Sequence, residues 1–128
     1  MIFQTVIETL CSDDELSQQV AVVRAVHLDE DDELPGITVK KSDRELDYSC
    51  DGPSSFTRVR VELGLWTHSM AASETIGKAL RRVMHALPKL SQDCPIHRVR
   101  LEREIDAFHF DESEVQSNFI FSIDYQEE

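Results

Sequence analysis

Basic residues are scarce in this chain. Its 128 residues hold 13 Lys and Arg against 25 Asp and Glu, a formal charge of −12 at pH 7 with His neutral. Such a surface repels phosphate, which disfavours a general nucleic-acid-binding role. It still allows one local basic patch, and it would let DNA pass without sticking. Glycine is also sparse: Gly36, Gly52, Gly64 and Gly77 are all there is. Neither a dinucleotide fingerprint nor a phosphate-binding loop can be written with them. The three cysteines, Cys11, Cys50 and Cys94, are odd in number and far apart. That pattern fits free thiols in a reducing compartment rather than a disulfide framework. No apolar run approaches the ~18 residues of a membrane helix. The first residues, MIFQTVIETL, have no basic start and include Glu8, a poor signal peptide. The expectation is a soluble intracellular protein with no membrane partner.

What is present suits one folded domain over residues 1–128. Apolar residues make up 41% and charged residues 30%, ordinary globular values. A chain of this length buries roughly two thirds of its unfolded surface and needs no staple. Phe3, Val6, Ile7 and Leu10 recur at helical spacing. Ser12-Asp13-Asp14-Glu15 then reads as a helix end, an N-cap and an acidic first turn, opening a short second helix to about Gln19. The valine-rich stretch 20–28 predicts a strand. The five acids Asp29 to Glu33 predict a solvated loop, and Leu34-Pro35-Gly36 a turn. Ile37 to Lys41 reads as a strand that the polar stretch 42–50 either extends or ends in a loop. Asp51-Gly52-Pro53-Ser54-Ser55 signals a turn.

The next strand is the clearest. Val59, Val61, Leu63 and Leu65 alternate with Arg58, Arg60, Glu62 and Gly64, one apolar face against one charged face. Ser69 to Leu87 predicts a helix with the stripe Ala72, Ile76, Ala79, Leu80, Val83 and Leu87, ended by Pro88. After a loop at 91–95, Val99, Leu101 and Ile105 alternate with Arg98, Arg100, Glu102 and Glu104. An acidic turn is expected within 106–116. Phe119, Phe121, Ile123 and Tyr125 mark a last strand, and 126–128 a frayed tail. The predicted fold is α+β: an antiparallel or mixed sheet of about four to five strands, with helices packed on one face.

Chemistry finds little support. Cys94-Pro95-Ile96-His97 has Cys-x-x-His spacing, but zinc needs two further ligands, and the other His and Cys residues are scattered. His109, Asp111, Glu112 and Glu114 read as a solvated hairpin loop before they read as an acid–base pair. No catalytic residue, cofactor or metal is expected.

The charged residues say more. Opposite charges on paired strands, Arg58, Arg60, Arg98 and Arg100 against Glu102, Glu104 and Asp124, make either a solvent-facing ladder or a subunit contact whose charges fix register. Trp66 shares the charged-face parity, as a cap on the sheet or an interface anchor. Lys78, Arg82, His85 and Lys89 form a basic side of the long helix. That side is either an ordinary solvated face or a head-to-tail contact with the acidic loop 29–33 of a neighbouring copy. The candidate interface residues are therefore Arg58, Arg60, Trp66, Lys78, Arg82, Arg98, Arg100, Glu102 and Glu104. Replacing Arg58 and Arg60 by Glu is expected to weaken assembly and leave the fold intact.

The run Leu46 to Phe56 with its Asp51-Gly52-Pro53-Ser54-Ser55 turn, then RVRVELGLW, then THSMAASETIGKALRRVMHAL, resembles the tail-completion (tail terminator) proteins of long-tailed bacteriophages. In that family a DGPSG-like turn leads into a strand of RVQVDVW type, a short loop and a helix rich in alanine. Here Ser55 stands in place of the usual glycine. The strand is Arg58 to Trp66, and the helix carries Ala71, Ala72, Ala79 and Ala86. The resemblance covers residues 46–87; the rest agrees in element order and in the Phe119–Tyr125 ending. The loops at 29–33 and 106–116 depart from the family's compact pattern. The resemblance implies a non-enzymatic virion tail protein, assembled in the host cytoplasm. It implies a ring of identical copies, commonly a hexamer, that caps the tail tube and joins it to the head. The implied partners are the tail-tube protein, the head–tail connector proteins and further copies of the chain, with DNA passing through the lumen without specific binding. The alternative is a small intracellular adaptor or ligand-binding domain.

Overall fold

The computed structural model describes residues 2–29, 31–49, 52–90, 96–109 and 113–126. Two short helices open the chain, α1 (Ile2–Ser12) and α2 (Asp14–Gln19). Asp13 caps α2: its carboxylate accepts the Leu16 N–H at 3.1 Å, as the acidic cluster predicts. Strands β1 (Val22–Ala25), β2 (Gly36–Ser49) and β3 (Gly52–Thr67) follow, then α3 (Met70–Leu90), β4 (Ile96–His109) and β5 (Glu114–Gln126). The strands form one sheet in the order β1-β2-β3-β5-β4. The β1–β2 pair is parallel and the others are antiparallel, so the expected α+β architecture with a mixed sheet is present.

All three helices cover one face. Val59, Val61, Leu63 and Leu65 of β3 and Phe119, Phe121 and Ile123 of β5 point into that core. They meet Ile76, Leu80, Val83, Met84 and Leu87 of α3 and Ile2, Val6 and Leu10 of α1. Gly77 lets α3 approach closely, because a Cβ there would lie 3.1 Å from Phe119 Cζ. A polar chain crosses this interface. The Ser117 hydroxyl donates to Asp106 at 2.7 Å, so the Ser73 hydroxyl, 2.6 Å away, must donate to Ser117. No described helix is long and apolar enough to cross a membrane.

Several boundaries differ from expectation. The strand expected over 20–28 is limited to Val22–Ala25. Residues 52–55 are strand, not turn, and Cys50 and Asp51 lie outside the described residues. Pro53 is tolerated because it lies beyond Phe56, the β3 residue opposite Gln126, so among the described residues only β2 pairs with it there. β2 continues through the polar stretch as far as Ser49, making a two-stranded extension with the start of β3. Residues 106–109 and 114–116 of the expected acidic turn are strand, and Ser113 is a turn residue. Residues 110–112, the loop 91–95 and the tail residues 127 and 128 lie outside the described residues. Pro88 sits within the last turn of α3, where its missing N–H costs one bond but Lys89 and Leu90 still complete the turn.

The largest correction concerns β4. Register shifts fall between Ile96 and Arg98 and between Leu101 and Arg103. The second is a bulge at Glu102, and it reverses the alternation beyond it. Val99 and Leu101 pack on the core, but Ile105 turns to the open face and is 41% exposed. Glu104 turns to the helix side and bonds Arg81 of α3 at 2.9 Å.

Candidate interaction surface

The face that carries no helices presents the even-numbered residues of β3. On this face Arg58 stands opposite Asp124, Arg60 opposite Ser122, Gly64 opposite Asn118 and Trp66 opposite Gln116. Arg98 and Arg100 of β4 flank the same positions of β5. The charges interlock. Arg58 Nε lies 2.8 Å from Asp124 Oδ1, and Arg98 Nε lies 3.8 Å from the other oxygen. Arg60 Nε lies 2.9 Å from Glu102 Oε2, with Arg100 3.5 Å from Oε1. Lys40 of β2 meets Glu62 at 3.3 Å. Two arginines from different strands therefore share each of the two carboxylates, and such cross-strand pairs contribute about 0.2–1 kcal/mol each.

Five of the predicted interface residues thus meet: Arg58, Arg60, Arg98, Arg100 and Glu102. Trp66 lies on the same face, further along β3. Glu104, Lys78 and Arg82 lie elsewhere, on the helix side. Because Arg58 and Arg60 already hold carboxylates of their own chain, reversing their charge would set acid against acid inside the sheet. The expectation that such a reversal leaves the fold intact is therefore replaced by one of destabilisation.

Arg82 is likewise engaged within the chain, reaching Asp13 at 2.9 Å and Glu15 at 3.0 Å. The hydrogen bond to Asp13 raises the Arg82 pKa. Burial works to raise the Asp13 pKa, but the Leu16 N–H and the Arg82 guanidinium outweigh it and hold the carboxyl below its usual 3.8. Lys78, His85 and Lys89 are exposed along α3.

At the Trp66 end the loop 26–34 folds over the open face. It starts at Val26, whose φ of 72° is rare for a β-branched residue, with His27 N–H bonded to the Ala25 carbonyl at 2.9 Å across it. Only part of the acidic run is solvated as predicted. Asp32 is drawn in by Arg24, which grips both carboxylate oxygens at 2.7 and 2.8 Å, and it also accepts the Asp29 N–H at 2.7 Å. The Arg24 hydrogen bond lowers the Asp32 pKa. Glu30 lies outside the described residues.

A cleft of about 640 Å³ remains between this loop and the sheet, lined by His27, Leu28 and Leu34 on one side and Thr38, Gly64 and Trp66 on the other. The Trp66 ring stacks on His109 at 5.5 Å. Gln116 donates to Asn118 at 3.0 Å and accepts from His109 Nε2 at 2.9 Å. Trp66 Nε1 is buried and has no partner among the described residues. A Cβ on Gly64 would meet Thr38 Oγ1 at 2.5 Å and Trp66 Nε1 at 3.4 Å. Sequence reasoning placed Trp66 here but missed the cleft. A lone glycine inside an otherwise regular strand was the available signal of a close approach.

No group of three His, Cys, Asp or Glu suited to a metal occurs among the described residues. Cys50, Cys94, Asp111 and Glu112 lie outside them, and Cys11 is a free, exposed thiol.

No protein-family model matches the chain, and no curated protein sequence matches it. A solved structure does. A chain in the virion of a native gene transfer agent particle superposes with a TM-score of 0.70 at 13% identity. The match covers 95% of this chain and 92% of that one. At this identity the likeness is one of fold, and it spans nearly the whole of both chains.

Proposed function

We propose that the chain is a structural component of a phage-like virion, acting as a tail terminator: a ring of identical copies that closes the tail tube and joins it to the head. The observation that carries this reading is the fold match to a chain of a gene transfer agent virion, which leaves little of either chain uncovered. The sequence of residues 46–87, with the strand to Trp66 and the helix after it, supports the same reading independently, through its resemblance to tail-completion proteins. The open sheet face supplies charged side chains and an aromatic for contact with neighbouring copies, the tube protein and the connector. The net charge of −12 suits a lumen through which DNA slides without being held. No reaction is assigned: the role is mechanical, and the site is a surface.

The test is removal of the chain from a strain that makes the particle. Overlong tails and unjoined heads, restored to normal by supplying the chain, are expected. Particles of normal tail length with heads attached would overturn the reading.

A further inference from the structure

The two edges of the sheet differ in charge. β4 is one edge, and Arg98, Arg100 and Arg103 are exposed along it. The acids of β4 are taken up within the chain: Glu102 by Arg60, Glu104 by Arg81, and Asp106 by the Ser117 hydroxyl. Arg103 has no carboxylate partner among the described residues, and Arg98 and Arg100 keep only contacts of 3.8 and 3.5 Å. β1 is the opposite edge, and the loop that leaves it exposes Asp29, Asp31 and Glu33. Asp31 and Glu33 have no cationic partner among the described residues, while Asp29 lies 3.6 Å from Arg24. Each side also carries exposed apolar surface: Ile105 at 41% on β4, on the face of the arginines, and Val26 at 64% beyond β1.

From this complementarity we infer that the β4 edge of one copy docks on the loop 26–34 of the next copy. The inference rests on the ring reading and names the surfaces that would make the ring. The patches differ, one on the β4 edge and one on the loop that leaves β1 and folds over the open face, so the contact is head-to-tail and repeats from copy to copy, closing when the rotation allows. The bulges at His97 and Glu102 interrupt the backbone ladder of β4, which disfavours open-ended strand addition. Side chains, rather than backbone pairing, then set the register, with the arginines against the acids and the apolar residues between them. Two fixed patches of opposite charge also favour the heterologous contact over a two-fold one, in which like charges would face each other.

The experiment uses two full-length variants, Arg98→Glu/Arg103→Glu and Asp31→Lys/Glu33→Lys, each checked for the native circular dichroism spectrum. Self-association is read by light scattering and negative-stain imaging beside the wild type. Each variant alone is expected to associate more weakly by on the order of tenfold or more. An equimolar mixture should assemble again, because every contact in an alternating ring then pairs opposite charges, and its rings should hold an even number of copies. Wild-type-like rings from either variant alone, or no recovery on mixing, would overturn the edge contact while leaving the ring reading standing. A wild type that stays monomeric at every concentration and also leaves the ends of purified tail tubes bare would overturn both.

Discussion

Arg58 Nε lies 2.8 Å from Asp124 Oδ1, and the two residues face each other directly across β3 and β5. The same carboxylate also draws Arg98 from β4, so one aspartate ties three strands at one level of the open face. One step along, Glu102 of β4 holds Arg60 of β3 and Arg100 of its own strand. A face held this way is stiff, and its outer arginines remain available to a partner.

Asp124→Asn should therefore lower stability by about 1 kcal/mol or less, the range of partly exposed pairs. Arg58→Ala should add little once Asp124 is replaced. A double-mutant cycle in urea would measure this coupling. Strictly additive losses would show that the pair contributes nothing.

Asp13 offers a pH-resolved test. Its carboxyl is held below the usual 3.8 in the folded chain, so its stabilising effect is present above the unfolded value and is lost as pH falls through the lower folded value. Asp13→Asn keeps a capping side chain but removes the charge. The wild type should exceed this variant in stability at pH 7, and the gap should close below about pH 4. Asp13→Ala loses the cap as well and should cost about 1 kcal/mol. Urea titrations across pH would check both, and a gap unchanged by acid would contradict the Arg82 pairing.

Gly64→Ala should destabilise by roughly 1–3 kcal/mol, since its Cβ would lie 2.5 Å from Thr38 Oγ1 in a buried position. In a Thr38→Ala background the same change should cost much less. Equal costs in both backgrounds, read by thermal unfolding, would mean that the crowding lies elsewhere.

Asp32→Asn should loosen the loop 26–34 by weakening the Arg24 grip and the bond from the Asp29 N–H. Faster amide hydrogen exchange at Asp29, with β3 and β5 unchanged, is the expected result. Unchanged exchange at Asp29 would show that the loop is held by its apolar contacts instead.

The parts of the fold legible in the sequence are those whose periodicity is undisturbed. β3 alternates without a break, α3 carries a clean stripe, and Asp13 announces its own cap. β4 was misread because a single bulged residue, Glu102, reverses every later side chain, and nothing in the local pattern marks it. The polar stretch of β2 stayed open between strand and loop, and the Pro53 segment read as turn, because their strand character comes from pairing with each other, not from propensity. Trp66 was recognisable by parity. The cleft beside it was not, since it depends on a loop folding back through the Arg24–Asp32 pair, which composition alone presents as five repelling charges.

Whether this subunit builds a ring is read by light scattering on a size-exclusion column over a wide concentration range, with negative-stain imaging of the largest species and a parallel incubation with purified tail tubes. Closed rings of one uniform subunit number, free or seated at tube ends, are expected. A monomer at every concentration that also leaves tube ends bare would contradict the ring reading.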